Sequence, residues 1–471
     1  MSRTLQSVLV AIALLLSSCG GGQLTAGIEG SGAPVTASGV ITGFGSIFVN
    51  GIEYSTAGAV LDIDEQPGAE SQLSVGDVVT VVGTLNADGM TGNASRVTFR
   101  GNVAGPVEQV NLPTRTLVVL GQTVLVTGST VFDPGFSPAD IHGIKPGASL
   151  EVSGFANSFG QLVASRIKLL ASAGTLRVEG VVQALNTTAQ TFQLGALLVD
   201  YRGVTLSTTL ANGSIVDVQG SGLSASGALV ATAIEVSPAV GGAANSAGKV
   251  EGVITAYTSN ADFMIAALHV ITNGSTQFTL NGVTLGVNVR VAVEGSFDSS
   301  GNLVAATLEA IPEGTGLVRG LVEALPGSGT LTAVGVTITT DARTEMEDDS
   351  SLRLRSFHVS DLHVGDYVEA RGQVGVGSAL SAAVLVRQPA ETLSFLGGVA
   401  TNFGVFGTPS FTFTLLGVSV TTSAQTQYSA ADGSPLTGQQ FYAQAPNRTV
   451  KAGGTLSGNS LLATQVQIEG P

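Results

Sequence analysis

The sequence predicts an all-β protein built as a tandem array of about six small antiparallel β-barrels. Hydrophobic residues make up 44% of the chain and charged residues only 11%, so the chain has enough apolar surface to bury a core. Glycine is abundant at 63 residues, and frequent glycine with β-branched residues favours strands and tight turns over helices. A glycine followed by apolar residues recurs at intervals of 66, 75, 72, 68 and 78 residues, which indicates internal repeats.

Six repeats follow one template. Each opens with a glycine and an apolar pair or near-pair: Gly39-Val40-Ile41, Gly105-Pro106-Val107, Gly180-Val181-Val182, Gly252-Val253-Ile254, Gly320-Leu321-Val322 and Gly398-Val399-Ala400. A later alternating strand runs into a glycine at residues 79–83, 150–154, 216–220 and 291–295, and more loosely at 367–372 and 450–453. The predicted repeats span residues 38–101, 102–171, 175–238, 249–312, 316–389 and 394–470, the last being divergent.

Helix and turn signals complete the template. Ser137-Pro138-Ala139-Asp140 offers an N-cap, a proline at the first helical position and an early acid, and Gly147 ends the predicted helical turn. Residues 360–365 repeat this pattern in the fifth unit. Type I′ turns are predicted at Asn50-Gly51, Asn273-Gly274 and Asn281-Gly282.

Each unit is predicted to have five or six short strands and one helical turn after the third strand within roughly 70 residues. This combination resembles the OB-fold, which is a small barrel. Closure is expected because an open sheet this rich in Val and Thr would expose edges that invite aggregation. Six open sandwiches or one continuous β-solenoid are the alternatives, although solenoids usually repeat at shorter periods. Small-residue joins, notably residues 237–248, favour barrels arranged as beads on a semi-flexible string.

The first residues have the features of an export signal. Arg3 precedes an apolar run, residues 8–16, which is too short for a membrane-spanning helix of ~20 residues. Leu16-Ser17-Ser18-Cys19 then resembles a bacterial lipobox, in which small residues admit the peptidase and the thiol receives the lipid. We therefore predict a lipoprotein signal peptide over residues 1–18, then a lipidated Cys19 and a flexible tether over 19–37. The alternative is a plain secretory signal with an incidental cysteine.

Cys19 is the single cysteine of the chain, so it has no disulfide partner and no second thiol for a metal. Acyl chains on Cys19, palmitate among them, are expected to hold the protein on a membrane. Gly20 gives no sign of retention at the inner membrane, and resemblance to Gram-negative lipoproteins favours the outer membrane. The sequence leaves open whether the protein faces the periplasm or the cell surface.

The opening of the first unit carries a family resemblance. Residues 39–51 (GVITGFGSIFVNG), together with Gln66-Pro67-Gly68 and residues 73–79 (LSVGDVV), are similar to a repeat domain of bacterial envelope lipoproteins that is known only as a domain of unknown function. The resemblance is recognisable through the fifth unit, and residues 402–407 (NFGVFG) echo it in the sixth. It implies a small β-barrel repeat on a lipid anchor and brings no catalytic residue.

The motifs predict neither an enzyme nor a cofactor. Residues 222–227 have the wrong spacing for a G-x-S-x-G elbow, and Gly248-Lys249 lacks the rest of a P-loop. Gly43-Phe44-Gly45 is followed by Phe48 where a dinucleotide-binding motif needs glycine. A net charge of −15 without a basic run repels phosphate backbones, so no nucleic-acid partner is expected.

One cluster of acidic and histidine residues is a candidate site for a divalent cation. Its candidate ligands are Glu345, Glu347, Asp348, Asp349, His358, Asp361 and His363. Carboxylate oxygens with one or two imidazoles suit such a cation. The alternative is a solvated loop that lengthens the fifth repeat, because charge runs usually face water. Asp62, Asp64 and Glu65 form a smaller acidic cluster with the same alternative.

Phe44, Phe48 and Tyr54 are a candidate aromatic binding platform in the first repeat. Strand alternation instead favours a core position for at least one of them. Tryptophan is absent and tyrosine occurs only six times, which counts against a carbohydrate-binding module because such surfaces rely on flat aromatic rings.

The leading functional hypothesis is a non-enzymatic envelope lipoprotein that acts as a multi-repeat structural and interaction scaffold. Repeated modules gain avidity when each contact is weak, whether the partner is an envelope protein or an extracellular ligand. The alternative is a binding module for a glycan, a peptide or a divalent cation that uses loops at the barrel ends. An enzyme with a non-standard site at His358 or His363 is the third hypothesis.

Overall fold

A computed structural model describes residues 32–172, 174–206, 208–237, 240–407 and 410–470. These residues form 37 strands, a few turns of 3-10 helix and one α-helix, which confirms the all-β prediction. No helix in this part of the chain has the length and apolarity needed to cross a membrane. The signal peptide, Cys19 and the lipobox residues Leu16, Ser17 and Ser18 lie outside the described residues.

The first three repeats occupy residues 33–236. Repeat 1 contains β1 (Ala33–Gly43), β2 (Ile47–Val49), β3 (Ile52–Ser55), β4 (Val60–Ile63), β5 (Gln66–Pro67), a 3-10 helix (Glu70–Gln72), β6 (Val78–Leu85) and β7 (Thr91–Phe99). Repeat 2 contains β8 (Val103–Asn111), β9 (Thr116–Val119), β10 (Gln122–Phe132), a 3-10 helix (Ile141–Gly143), β11 (Ser149–Ala156) and β12 (Leu162–Leu169). Repeat 3 contains β13 (Leu176–Val181), β14 (Gln183–Asn186), β15 (Thr191–Leu194), β16 (Leu197–Asp200), β17 (Ile215–Leu223) and β18 (Leu229–Val236).

The last three repeats occupy residues 247–468. Repeat 4 contains β19 (Ala247–Ser259), β20 (Asp262–Ile265), β21 (Leu268–Ile271), β22 (Gln277–Thr279), β23 (Arg290–Phe297) and β24 (Leu303–Ala310). Repeat 5 contains β25 (Gly316–Gly327), β26 (Thr330–Ala333), β27 (Val336–Thr339), β28 (Glu345–Asp348), 3-10 helices (Val359–Asp361 and Val376–Ser378), β29 (Tyr367–Val374) and β30 (Leu380–Gln388). Repeat 6 contains β31 (Ser394–Val399), β32 (Thr412–Leu415), β33 (Val418–Thr421), β34 (Gln427–Ser429), β35 (Pro435–Leu436), α1 (Gly438–Gln444), β36 (Thr449–Ser457) and β37 (Ser460–Ile468).

Each repeat closes into a five-stranded barrel. In repeat 1 the ring runs β1-β2-β3-β7-β6 and returns to β1, with β3 and β7 parallel and the other pairs antiparallel. The same order recurs in the other repeats, and in repeat 6 a bridge between Thr401 and Thr414 completes it. This strand order is that of the OB-fold, so the predicted OB-like barrels are confirmed. In repeats 1, 2, 5 and 6 a helical turn also precedes the fourth barrel strand along the chain, which is β6 in repeat 1.

A glycine in the fourth barrel strand along the chain, which is β6 in repeat 1, explains the motif that the repeats share. The strand register shifts at this glycine in every repeat, for example at Gly83, Gly154 and Gly295, which marks a β-bulge. A Cβ added to Gly295 would collide with the carbonyl oxygen of Val304 on the neighbouring strand. Glycine is therefore required by close backbone approach. In repeat 6 the bulge lies at Gly454, one residue beyond the glycine that the sequence pattern suggested.

The repeats are joined in pairs through their first strands. β1 pairs in parallel with β19, which joins repeats 1 and 4. β8 pairs with β13 and β25 pairs with β31, both antiparallel, which joins repeats 2 with 3 and 5 with 6. The chain from Gly32 onward is one compact unit. The predicted arrangement of the barrels as beads on a semi-flexible string is therefore wrong, because shared sheets and packed side chains hold the barrels together.

The hydrophobic cores follow this pairing. Repeats 2 and 3 share one cluster of buried side chains, and repeats 5 and 6 share another. Repeats 1 and 4 keep separate cores, although their first strands are paired. A small cluster of Val40, Phe155 and Val253 then packs repeat 2 against the sheet shared by repeats 1 and 4.

The start of β1, one helical turn and one of the predicted type I′ turns differ from the sequence predictions. The predicted tether over 19–37 overlaps β1, because β1 pairs with β6 from Ala33 and with β19 from Val35. The helical turn expected at residues 137–140 begins at Ile141, because Asp140 is the N-cap and accepts from the backbone N–H of His142. Asn50 and Asn281 adopt the positive φ of the predicted turns. The side chain of Asn273 instead accepts a hydrogen bond from the backbone N–H of Ser275.

Candidate functional site

The acidic residues of the candidate cation site are individually paired with arginines or buried. Glu347 accepts two hydrogen bonds from Arg166 of repeat 2, at 3.0 and 3.1 Å. Asp348, on the next position of β28, accepts from Nε of Arg387 at 2.9 Å. Successive side chains of a strand point to opposite faces, so these carboxylates are directed apart rather than toward one ion.

Asp349 and the histidines lie in separate surroundings. Asp349 is paired with Arg353 at 2.7 Å. His358 Nδ1 lies 3.6 Å from Asp361, whose carboxylate accepts from the backbone N–H of His358. The side chain of His363 is 82% exposed. The seven candidate ligands are therefore not brought together, and the described residues contain no group of three or more His, Cys, Asp or Glu arranged to hold a metal ion.

The three candidate platform residues do not form an exposed aromatic surface. Phe44 and Tyr54 are buried in the core of repeat 1. Phe48 is half-buried and meets the ring of His358 edge-on, with 6.5 Å between the centroids. Arg355 of repeat 5 lies 3.6 Å from the centroid of Phe44. The sequence of repeat 1 alone could not show that repeat 5 covers this side of the barrel.

Two residues of the smaller acidic cluster, Asp64 and Glu65, lie at a contact between repeats 1 and 3, whereas Asp62 pairs with Arg100 of its own repeat at 2.9 Å. Arg177 of repeat 3 is buried and lies 3.1 Å from Asp64, 3.2 Å from Glu65 and 2.8 Å from Asp217. Burial raises the pKa of Asp217 to about 7, although the positive charge of Arg177 opposes this shift. These carboxylates therefore fix the position of two barrels and are not a solvated loop.

Repeat 2 contacts each of the other five repeats within the described chain. Its shared sheet with repeat 3 and the Arg166–Glu347 pair with repeat 5 are described above. Lys168 reaches Asp77 of repeat 1 at 2.8 Å, where Asp77 is fully buried. The backbone N–H of Ser158 donates to Asn288 of repeat 4, and Asp140 pairs with Lys451 of repeat 6. Repeat 2 is the hub of the assembly.

A buried group of charges lies where repeats 2, 4 and 5 meet. Glu345 is 3% exposed, and its Oε2 has no hydrogen-bond partner among the described residues. Burial raises the pKa of Glu345 to about 8, the charges of Arg290 and Arg371 oppose the rise, and the charge of Glu251 adds to it. Arg290 is itself held by Glu251, with 2.7 Å between Nε and Oε1. This rise in pKa favours the protonated form of the Glu345 carboxyl at neutral pH.

A cleft of about 770 Å³ lies between repeat 2 and repeat 6. This volume is in the usual range for small-molecule sites, ~300–1,000 Å³. Its lining combines aromatic, amide and charged side chains: Asp140 and His142 of repeat 2, Arg319 of repeat 5, Glu391, and Phe395, Tyr428, Lys451, Gln465 and Gln467 of repeat 6.

The charges that line this cleft are already paired. Lys451 Nζ lies 3.1 Å from Asp140, and Arg319 forms an ion pair with Glu391. Burial raises the pKa of Asp140, but the hydrogen bond from His142 and the charge of Lys451 outweigh it and hold that pKa well below its usual range. Asp140 therefore stays ionised.

Both cations of the cleft also lie near one aromatic ring. Arg319 is 5.5 Å and Lys451 is 5.6 Å from the centroid of Phe395. A charged ligand would have to displace one partner of an existing ion pair, whereas a neutral polar ligand would leave both pairs intact. The cleft therefore suits a neutral ligand that carries hydroxyl or amide groups. Sequence reasoning missed it because Asp140 and Lys451 are 311 residues apart.

No curated protein matches this chain. A family model described as a domain of unknown function (DUF5666) matches residues 34–98, 104–168, 172–235, 251–309, 319–384 and 406–467. These six matches coincide with the six barrels and together cover well over half of the sequence. The chain therefore belongs to the DUF5666 family, as a protein built from six tandem copies of that domain.

Proposed function

We propose that this protein is a non-enzymatic cell-envelope lipoprotein whose six barrels act as one rigid interaction scaffold. The observation that carries the proposal is the hub position of repeat 2, which contacts every other repeat through backbone or charged contacts. A body built this way presents its surfaces in fixed relative positions. Several weak contacts can then act together without the entropy cost of ordering flexible linkers.

The anchor in this proposal is supported by Leu16-Ser17-Ser18-Cys19. Acyl chains on Cys19 would hold the scaffold at the outer membrane, because two or more chains anchor far more firmly than one. Incorporation of an alkyne-palmitate analogue tests this directly in a Gram-negative host. Labelling is expected in the wild type and in Gly22→Ala, and it is expected to be lost in Cys19→Ala.

The scaffold role is tested by proximity crosslinking in the native host, comparing the wild type with Cys19→Ala. A discrete envelope partner enriched only with the anchored protein is the expected result. Diffuse labelling in both strains, with no enriched partner, would contradict an interaction scaffold. Immunoblotting for equal amounts of folded, protease-resistant protein in the two strains provides the control.

A second candidate function is binding of a neutral polar ligand in the cleft between repeats 2 and 6. It is favoured by the paired charges and the amide side chains that line the cleft. Calorimetry with chitooligosaccharides, blocked peptides and Ca²⁺ separates the three ligand classes. Lys451→Gln is expected to weaken binding of the glycan. Arg448→Gln changes an exposed cation of the same repeat outside the cleft and is expected to leave that binding unchanged.

A further inference from the structure

Lys168 of repeat 2 lies between two carboxyl groups in the interior of the assembly. Its Nζ atom is 2.8 Å from Oδ2 of Asp77 in repeat 1 and 3.2 Å from Oε1 of Glu151, which pairs with Lys168 across β11 and β12. The side chain of Asp77 is fully buried, and those of Lys168 and Glu151 are 15% and 16% exposed. The other ion-paired lysines of the described chain, Lys249 and Lys451, each meet a single carboxylate. A lysine held against two carboxyl groups is therefore found at this one place in the described residues.

The loop that carries Asp77 is fixed against the last hairpin of repeat 2. Arg166 donates to the carbonyl oxygen of Val75 at 2.7 Å, and the hydroxyl of Ser165 donates to the carbonyl oxygen of Gly76 at 2.6 Å. These two contacts hold the residues immediately before Asp77, so its carboxyl group is kept beside the lysine amine. Two groups that the fold positions in this way react as if one were present at a very high concentration.

The amine is close enough to attack the carboxyl carbon. A C=O bond is ~1.23 Å long, so Nζ of Lys168 lies at most ~4 Å from Cγ of Asp77. Reacting atoms need to approach to ~3–3.5 Å, which a small rotation of the lysine side chain achieves. The other carboxyl oxygen of Asp77, Oδ1, is buried without a hydrogen-bond partner among the described residues. Conversion of this carboxylate to an amide removes a negative charge that the surroundings solvate incompletely.

Glu151 is suited to carry protons between the two reacting groups. Burial raises the pKa of the Glu151 carboxyl, and the charge of Lys168 opposes the rise. The charges of Asp64 and Asp77 add to it. A carboxyl with a raised pKa can both hold a proton and pass it on near neutral pH. The ring of Phe99 lies over the lysine nitrogen, 4.9 Å from Nζ to the ring centroid, and limits the access of water from that side.

We propose that Lys168 and Asp77 form an intramolecular isopeptide bond, with Glu151 as the proton carrier, which links repeat 1 covalently to repeat 2. One proton passes from the ammonium of Lys168 through Glu151 to the carboxylate of Asp77. The lone pair of Nζ then forms a bond to Cγ. Nζ gives up a second proton, which Glu151 delivers to the same carboxyl oxygen, and the C–O bond breaks so that this oxygen leaves as water. One ammonium and one carboxylate thus become one amide and one water, with no change in net charge and no oxidant or reductant. The bond does not depend on the lipid anchor.

Chemical cleavage at methionine tests this bond in the full chain. Cyanogen bromide cuts after Met90 and Met264, which places Asp77 and Lys168 on two different fragments, and it leaves amide bonds intact. The purified wild type is unfolded in denaturant, cleaved, and separated on a denaturing gel. The expected result is that the fragment ending at residue 90 stays joined to residues 91–264. Mass spectrometry of this joined product is expected to give the sum of the two fragments less one water.

Three variants complete the test. Lys168→Arg keeps the positive charge but has no amine that can form this bond, so its two fragments are expected to separate. Glu151→Gln is also expected to give separate fragments, because an amide cannot carry the proton. Lys249→Arg changes a lysine that meets a single carboxylate, so as the matched control it is expected to keep the joined product. Separate fragments of full mass from the wild type, or a joined product from Lys168→Arg, would overturn the proposal. An undiminished joined product from Glu151→Gln would rule out Glu151 as the proton carrier.

Discussion

Glu345 is the buried carboxyl whose replacement gives the sharpest test of the buried group of charges where repeats 2, 4 and 5 meet. Its pKa is raised from 4.5 to about 8 by burial, so the folded protein keeps a proton that the unfolded chain releases. Between these two pH values the folded state binds more protons than the unfolded state. The free energy of unfolding therefore falls as pH rises through this window. Glutamine has the same shape and no charge, so Glu345→Gln removes this pH-dependent loss.

The size of the effect follows from the shift. Each pKa unit corresponds to ~1.4 kcal/mol, so the difference between variant and wild type grows to at most ~5 kcal/mol above pH 8 and vanishes near pH 4.5. Denaturant titrations of both proteins between pH 5 and pH 9 measure it. The expected result is a stabilisation of Glu345→Gln that increases from pH 5 to about pH 8 and then levels off.

A control variant lies two residues away on the same strand. Glu347→Gln removes the negative charge and one of the two oxygen atoms that accept from Arg166, and leaves a buried guanidinium without its carboxylate. This is expected to cost ~3 kcal/mol or more, as for other broken buried ion pairs. If Glu345→Gln is destabilised at pH 8, or if its stability difference is the same at pH 5 and pH 8, the assignment of a protonated buried carboxyl is wrong.

Three further predictions concern the packing of the barrels. Gly295→Ala is expected to lower unfolding stability by ~1–3 kcal/mol, because its Cβ would meet the neighbouring backbone, whereas Gly286→Ala in the same repeat has open space and is expected to change thermal stability little. Arg177→Met leaves three carboxylates without their arginine and is expected to cost ~3–5 kcal/mol in a denaturant titration. Arg202→Met, at an exposed ion pair, is its control and is expected to leave stability unchanged. Phe155→Ala removes the ring that joins repeat 2 to repeats 1 and 4, so it is expected to lower the free energy of unfolding by ~3–5 kcal/mol. Hydrogen exchange of the backbone amides in β1 and β19 is expected to become faster.

Opposite outcomes would contradict each of these expectations. Equal stability of the two glycine variants would mean that the bulge tolerates a side chain. An Arg177→Met protein as stable as the wild type would mean that the carboxylates are neutralised by protons and not by the arginine. Unchanged exchange in β1 and β19 would mean that repeat 2 does not hold the sheet shared by repeats 1 and 4.

The barrel and its repeats could be predicted from the sequence because their determinants are local. Alternation places one face of each strand inward, and the glycine before the last hairpin marks a backbone contact within one repeat. Asn50 likewise takes the positive φ that its turn requires. These signals lie within a few residues of one another, so they survive in a linear pattern.

The arrangement of the barrels could not be predicted in this way. Every repeat opens with a similar glycine-led strand, so nothing in the first strand of repeat 1 distinguishes repeat 4 from repeat 2 as its partner. Glu345 and Glu347 form part of an acidic run that a single sequence reads as a solvated loop. They are buried or paired because other repeats converge on β28. The cleft depends on Asp140 and Lys451, which only the assembled fold brings together.

The pairing of β1 with β19 has a consequence for how the chain matures. Val35 lies beside Ala247, so the N-terminal barrel cannot finish its shared sheet until more than 200 further residues have been synthesised. Repeats 2 and 3, which are neighbours in sequence and share a core, can associate earlier because the chain between them is short. The first barrel to be made therefore keeps an exposed strand edge while the rest of the chain is synthesised. During that interval it is the part of the chain most exposed to edge-to-edge aggregation.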